Sequence, residues 1–285
     1  MSSQFTILND MKFSIFNNEI VNSNEIVLSK TNRGFSYGDG FFETINCFKG
    51  SVFNFQNHFK RIIFSASLLD LKFDLTILEL EILITKIINV NNLLNGSVKI
   101  IIYRESAGKY LPHTNKSSFY ISCTKGSSEV FLLNTKPLKI DLYKDNYKSD
   151  STLSNIKSLN SLLYVLASIY AKKNNFDDVL IVNSNKRVIE STNSNLFLFL
   201  DDVIYTPPLS DGCVDGTMRR LILDILQRQY VISIESITES QLLSSSEIFL
   251  TNSFSGVKWV GSFKNSGNKN KSVCSYLIKS LNNLI

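Results

Sequence analysis

The stretch SNIKSLNSLLYVLA at residues 154–167 decides how the second half of the chain is read. From about Asn160 the apolar residues 162, 163, 165, 166, 169 and 170 recur near the helical period, so the spacing predicts an amphipathic helix over 160–174. Lys157 stands directly before that helix. Upstream, LLNTKPLKIDLY, beginning near residue 132, reads as strand-like. Downstream, short apolar runs at 178–182, 187–190, 195–200 and 203–205 read as strands. A helix at 217–229, a strand near 247–251 and a final helix over about 271–283 follow. Helices interleaved with many short strands imply an α/β (α+β) arrangement.

Working outward to the first half, residues 5–30 hold short apolar bits between Asn-rich turns and read as small strands. GFSYGDG at 34–40 reads as a Gly-rich turn, FFETINCF at 41–48 as a strand, Lys49-Gly50 as a hairpin turn and Val52-Phe53 as a short strand. Asn57 is placed to cap a helix through about Leu69, and a second helix is expected over 75–94. Strands are expected at 97–103 and 118–123, with the polar loop 104–117 between them. The turn-rich stretch TKGSSEVF at 124–131 is the candidate linker. The expected organisation is an N-terminal α/β domain over 1–123, the linker 124–131, and a C-terminal domain over 132–285.

Length agrees, since 285 residues at about 150 per domain gives roughly two domains. Hydrophobic residues at 44% and charged residues at 19% exclude wholesale disorder. No run of about 18 apolar residues is present, so no transmembrane helix is expected. The N-terminal segment lacks the basic and apolar regions of a signal peptide, which makes the cytoplasm the expected compartment. The net charge of +5 comes from scattered basic residues, with no footprint for nucleic acid. It suits a small anionic ligand, and equally no ligand. Four cysteines without a CxxC pair and only two histidines leave no metal site and no Ser-His-Asp triad to expect. The chemistry falls to Lys, Arg, Glu, Tyr or a cofactor.

Four features then stand out. Lys157 lies before a helix, where the helix dipole and partial burial favour the neutral amine that a Schiff-base lysine needs. A solvated first-turn lysine carries the same local signature. Glu190 ends the strand KRVIE, where a carboxylate facing a cleft can pair with a pyridinium nitrogen, or simply be a strand-edge charge. Gly216-Thr217-Met218 opens a helix whose N–H groups suit a phosphate, as any helix after a glycine does. Arg61 can give a bidentate phosphate contact or sit exposed on its helix. A lysine, a carboxylate, a phosphate-binding helix end and an arginine are together the parts for holding pyridoxal 5′-phosphate.

The order of the segments adds to this. RGFSYGDGFFET at 33–44, HFKRI at 58–62, IKSLNSL at 156–162, VIESTNSNLF at 188–197, TPPLSDGCVDGTMR at 206–219 and FLTNSFSGV at 249–257 resemble the class IV, fold-type IV pyridoxal phosphate enzymes. That family includes branched-chain aminotransferases, D-amino acid aminotransferases and aminodeoxychorismate lyases. The resemblance implies two α/β domains with the cofactor in the cleft between them, and a homodimer. It gives Lys157 the covalent link to the cofactor and the proton shuttle, and Glu190 the pyridine nitrogen. Arg61, the helix start at Thr217 and Met218, and Ser253 with Phe254 would bind the phosphate, while Val214 would pack on the ring. The family commonly has Ile-Thr where this chain has Thr217-Met218, so a hydroxyl contact from the second position is lost.

Within the family, KSLNSL, GTMR and RESAGKY are similar to the lyase members, and KSLN also occurs among D-amino acid aminotransferases. Phe42 stands where those aminotransferases carry a tyrosine, and the loop 104–112 lacks their Arg-x-His pair. Leu162 stands where many branched-chain aminotransferases place a tyrosine. The resemblance therefore implies 4-amino-4-deoxychorismate lyase, a step of folate biosynthesis, with Arg104 and Lys109 as cations for a substrate carboxylate. The alternative is a branched-chain or D-amino acid aminotransferase. Either acts on a small, anionic, amino acid-like substrate.

Overall fold

The computed structural model describes residues 11–25, 29–264, 266–267 and 270–285. The strands expected within 5–10 and 26–28 lie outside the described residues. Two compact units result: residues 1–129 with 158–160, and residues 130–157 with 161–285.

The first unit runs β1 (Phe13–Phe16), β2 (Glu19–Asn22), α1 (Arg33–Tyr37), β3 (Gly40–Phe48), β4 (Ser51–Val52), α2 (Phe55–Leu68), α3 (Ile77–Val90), β5 (Gly96–Arg104) and β6 (Ser117–Lys125). Its strands form one antiparallel sheet in the order β2-β1-β6-β5-β3-β4. Alternation along β3 sends Phe41, Ile45 and Cys47 into a core shared with Ile62 and Ala66 of α2 and Leu80, Ile84 and Ile87 of α3. Thr76 starts α3 through a capping box, its hydroxyl accepting the Glu79 N–H while the Glu79 carboxylate accepts the Thr76 N–H at 2.8 Å.

Two expectations change here. The segment read as a Gly-rich turn at 34–40 contains α1, because Asn32 accepts the Phe35 N–H at 2.8 Å and Gly38, at φ 63°, ends the turn of helix. The next helix starts at Phe55, two residues before the expected cap Asn57. The chain turns at Asn54, in the left-handed region at φ 58°, and Asn57 instead donates to the Asn54 side chain at 2.7 Å.

The second unit runs β7 (Leu138–Lys148), α4 (Leu162–Lys173), β8 (Asp178–Asn183), β9 (Val188–Ser191), β10 (Asn195–Leu200), β11 (Val203–Thr206), α5 (Thr217–Leu226), β12 (Val231–Ile234), α6 (Glu239–Ser244), β13 (Glu247–Asn252), β14 (Gly256–Phe263), β15 (Ser266–Gly267) and α7 (Ser272–Asn282). Its nine-stranded sheet has the order β12-β11-β10-β13-β14-β7-β8-β9, with β15 on β14. Because β9 also pairs with β10, the strands from β10 round to β9 close into a ring. The β7–β8, β7–β14 and β11–β12 pairs are parallel and the others antiparallel. Every residue of β8 is buried, as expected for a strand inside such a ring.

The strand expected from 132 begins only at Leu138, after Pro137, which has no N–H for a ladder. It then continues to Lys148, well beyond the apolar run that announced it. Among the described residues, no helix is long and apolar enough to cross a membrane.

Candidate active site

Glu190, on β9, is 3% exposed and each of its carboxylate oxygens has partners. Oε1 accepts from Lys148 Nζ at 2.6 Å and from the Tyr164 hydroxyl at 2.8 Å. Oε2 accepts the Val214 N–H at 2.9 Å. A carboxylate oxygen can accept two hydrogen bonds, so Oε2 retains one lone pair among the described contacts. Burial, and then the Glu190 charge and its hydrogen bond, push the Tyr164 phenol well above its usual pKa, so it stays a neutral donor. Cys213 is also pushed up, to about 12, by burial and the Glu190 charge, which leaves an inert thiol.

Lys157 is half-buried and follows a short 3-10 turn at Thr152–Asn155. The helix after it starts at Leu162. The dipole argument made for Lys157 therefore does not hold, because the field of a helix end falls off within one turn and Lys157 precedes α4 by five residues. What holds this segment is hydrogen bonding. Lys148 Nζ donates to Ser154 O at 2.9 Å, and Asn155 Nδ2 donates to Leu209 O at 2.8 Å and Cys213 O at 2.7 Å.

The helix start and the Ser253 turn expected to bind a phosphate lie in the same unit as Glu190. Gly216 is the N-cap of α5 and no side chain caps that helix. A Cβ at Gly216 would come within 1.9 Å of Asn195 Oδ1, so any larger residue would have to displace the Asn195 side chain. The Thr217 hydroxyl lies 2.9 Å from that of Ser253, in the turn after β13. Met218 is buried and has only its backbone to offer, while the Phe254 side chain is exposed. Val214 is half-buried, its N–H on Glu190 and its carbonyl held by Asn195 Nδ2 at 2.8 Å.

In the first unit, Arg61 is buried on α2 and grips Glu43 of β3, Nε to Oε1 at 2.6 Å and Nη2 to Oε2 at 2.7 Å. His58 Nδ1 lies 2.7 Å from the same Oε2. Burial alone would raise the Glu43 pKa, but the Arg61 charge and the hydrogen bonds from Arg61 and His58 outweigh it and bring it to about 2. Phe42 follows its neighbour's opposite face of β3, where Lys99 Nζ sits 5.2 Å from its ring centroid. The structure does not bring Phe42 to the Arg61 face.

Arg104 requires a correction. It is 7% exposed, and its guanidinium is engaged by Asp39, Asn115 Oδ1 and the carbonyls of Leu69 and Asp70. It anchors the base of the loop instead of presenting a charge to a substrate. Lys109 is exposed near the loop's far end. The backbone there is gripped by Arg33, which donates to the carbonyls of Gly108, Lys109 and Tyr110 at 3.2, 2.5 and 3.3 Å.

The donor set of the second unit fits pyridoxal phosphate. An uncapped helix start with a hydroxyl pair suits a phosphate. A buried carboxylate with a lone pair to spare suits a protonated ring nitrogen, and a primary amine suits an aldehyde. Lys148, Tyr164, Asn155 and Asn195 had no readable signal in the sequence. Lys148 hides in the polar run KDNYKSD, and Tyr164 looks like one more apolar residue of its helix.

Residues 40–263 match the family model for class IV amino-transferases. The chain is 30% identical over 239 residues to a D-alanine aminotransferase of Staphylococcus epidermidis, covering 82% of this chain and 83% of that protein. It is 27% identical over 240 residues to an aminodeoxychorismate lyase of Vibrio harveyi, covering 83% and 88%. A crystal structure of a putative 4-amino-4-deoxychorismate lyase from Legionella pneumophila superposes with a TM-score of 0.86 at 25% identity, covering 92% of this chain and 97% of that one. The mixed α/β fold is that of the fold-type IV pyridoxal phosphate enzymes. The chain belongs to the class IV aminotransferase family, whose members are enzymes that depend on pyridoxal phosphate.

Proposed function

We propose that this enzyme is a 4-amino-4-deoxychorismate lyase that releases 4-aminobenzoate and pyruvate. The observation that carries the reading is the loop 105–112. It exposes Lys109 on a backbone pinned by Arg33, and it lacks the Arg-x-His pair that the resemblance assigns to D-amino acid aminotransferases.

When bound, pyridoxal phosphate supplies an aldehyde for the substrate's amino group and a ring that takes up the electron pair left by a departing proton. Lys157 Nζ would hold the cofactor's aldehyde and would serve as the base for the proton on the substrate carbon that bears nitrogen. Glu190 Oε2 would hold the proton of the ring nitrogen. Its carboxylate cannot swing away, because Lys148 and Tyr164 hold Oε1 while the Val214 N–H holds Oε2. Thr217, Ser253 and the start of α5 would hold the phosphate, and Arg61 of the first unit, oriented by Glu43, is the further cation that the resemblance assigns to it. Lys109 would meet a substrate carboxylate. Loss of the enolpyruvyl group leaves an aromatic ring, so the nitrogen departs with the product and no second substrate is needed.

The second reading, a D-amino acid aminotransferase, is favoured by the 30% identity to the staphylococcal enzyme. A branched-chain aminotransferase fits less well, since Leu162 opens α4 and is 69% exposed. The test is to supply aminodeoxychorismate with no 2-oxo acid and follow both products. Continuous release over many turnovers is expected. No product, together with rapid bleaching of the visible absorbance by D-alanine and its recovery with 2-oxoglutarate, would establish the aminotransferase instead.

A further inference from the structure

We infer that Asn155 is a positioning residue that fixes the spacing between Lys157 and Glu190. This rests on the reading of Lys157 as the lysine that binds the cofactor. The backbone of residues 213–215 is held alternately by the two sides of the site. Cys213 O accepts from Asn155 Nδ2 at 2.7 Å, the Val214 N–H donates to Glu190 Oε2 at 2.9 Å, and the Asp215 N–H donates back to Asn155 O at 2.9 Å. Asn155 Nδ2 uses its other hydrogen on Leu209 O at 2.8 Å. Both amide hydrogens and the carbonyl of a residue that is 9% exposed therefore go to one loop.

That loop is itself rigid against the turn. Gly212, at φ 92°, packs so that a Cβ there would meet Ser149 O at 2.4 Å. Beyond Asn155 the backbone has no slack before Lys157. Asn155 ends the 3-10 turn, Ile156 is extended at φ −95° and ψ 157° and only 3% exposed, and Lys157 follows. Three consecutive peptide groups thus act as a ruler between the residue that must reach an aldehyde and the carboxylate that must reach the ring nitrogen. A ligand that engages both has a fixed span, so an error in the ruler is felt at Lys157 Nζ. Misplacement by about 1 Å can cost up to a hundredfold in rate.

The chain holds a matched control. Asn91, in the first unit, is also 9% exposed, and its Nδ2 also bridges two carbonyls, Phe13 O at 2.8 Å and Ile87 O at 3.1 Å. The experiment prepares cofactor-free wild type, Asn155→Ala, Asn155→Ser, Asn91→Ala and Lys157→Ala. Each is mixed with pyridoxal 5′-phosphate and quenched over time with borohydride, and the modified lysine is mapped and quantified. In this trapping the amine and aldehyde lose water and borohydride supplies the hydride. Melting temperature and the pH midpoint of the visible absorbance are recorded alongside.

Asn155→Ala and Asn91→Ala are expected to lower the melting temperature alike. Only Asn155→Ala should slow adduct formation at Lys157, by on the order of tenfold, and move the absorbance midpoint. Asn155→Ser, which retains one donor, should fall between, and it decides the question if Asn155→Ala does not fold. A wild-type rate and midpoint in the Asn155 variants, or an equal slowing by Asn91→Ala, overturns the inference alone. An adduct in the wild type on a lysine other than 157, unaffected by Lys157→Ala, overturns the reading beneath it as well.

Discussion

Glu43 shows how a residue can be plain in the sequence while its role is not. It sits in a motif that resembles the family, yet only the structure shows its carboxylate buried under Arg61 and His58. Replacing Glu43 with Gln leaves the Arg61 cation buried without its partner, which should cost about 3–5 kcal/mol of stability in denaturant titration. An unchanged midpoint would mean that the pair contributes nothing. The pH dependence has a definite sign. Glu43 has its pKa lowered from 4.5 to about 2, so its contribution is complete above pH 4.5 and is lost as pH falls through that window toward about 2. Acid titration of the wild type should therefore show a stability loss there that Glu43→Gln lacks. Lys157, Glu190 and Arg61 stand out in the sequence through the motifs that surround them, since each taken alone also reads as an ordinary surface or strand-edge charge. Lys148, Tyr164 and Asn155 do not, because their contacts with Glu190 and Cys213 span more than twenty residues of sequence and no local pattern encodes such a contact.

Among elements, those with a clean period were legible, and those shaped by close approach were not. The stretch 75–94 announces α3, and the apolar runs at 97–103 and 118–123 announce β5 and β6. β14 went unread because GVKWVGSF has glycine at both Gly256 and Gly261, and Gly261 is needed where a Cβ would meet Pro137 at 2.1 Å. α6 is one and a half turns long and β12 is four residues, both too short to show a period. The start of α5 is set by the same kind of close approach. Gly216→Ala would drive its new methyl into Asn195, whose amide also holds Val214 in place. Cofactor affinity should fall at least tenfold, read by absorbance titration against pyridoxal phosphate, with a smaller change in secondary structure by circular dichroism. Unchanged affinity would remove the α5 start from the phosphate site.

At the scale of the molecule, the mixed α/β character was legible from the order of elements. The faces of α4 were not. Of the apolar positions that predicted an amphipathic helix, Leu163 and Tyr170 pack on the core with Ala167 and Ala171, while Leu162, Val165, Leu166 and Ile169 are exposed along one stripe. The homodimer that the family resemblance implies would cover that stripe. Sedimentation should give twice the chain mass, and a single-chain mass in the wild type would reject the dimer. The central claim is that Lys157 binds the cofactor beside Glu190. Its rival is Lys148, a buried lysine already 2.6 Å from that carboxylate. Reduction of the cofactor-loaded protein with borohydride, followed by digestion and mass spectrometry, tests this most directly. The account predicts one phosphopyridoxyl-modified peptide, carrying the label on Lys157; a label on Lys148 would contradict it.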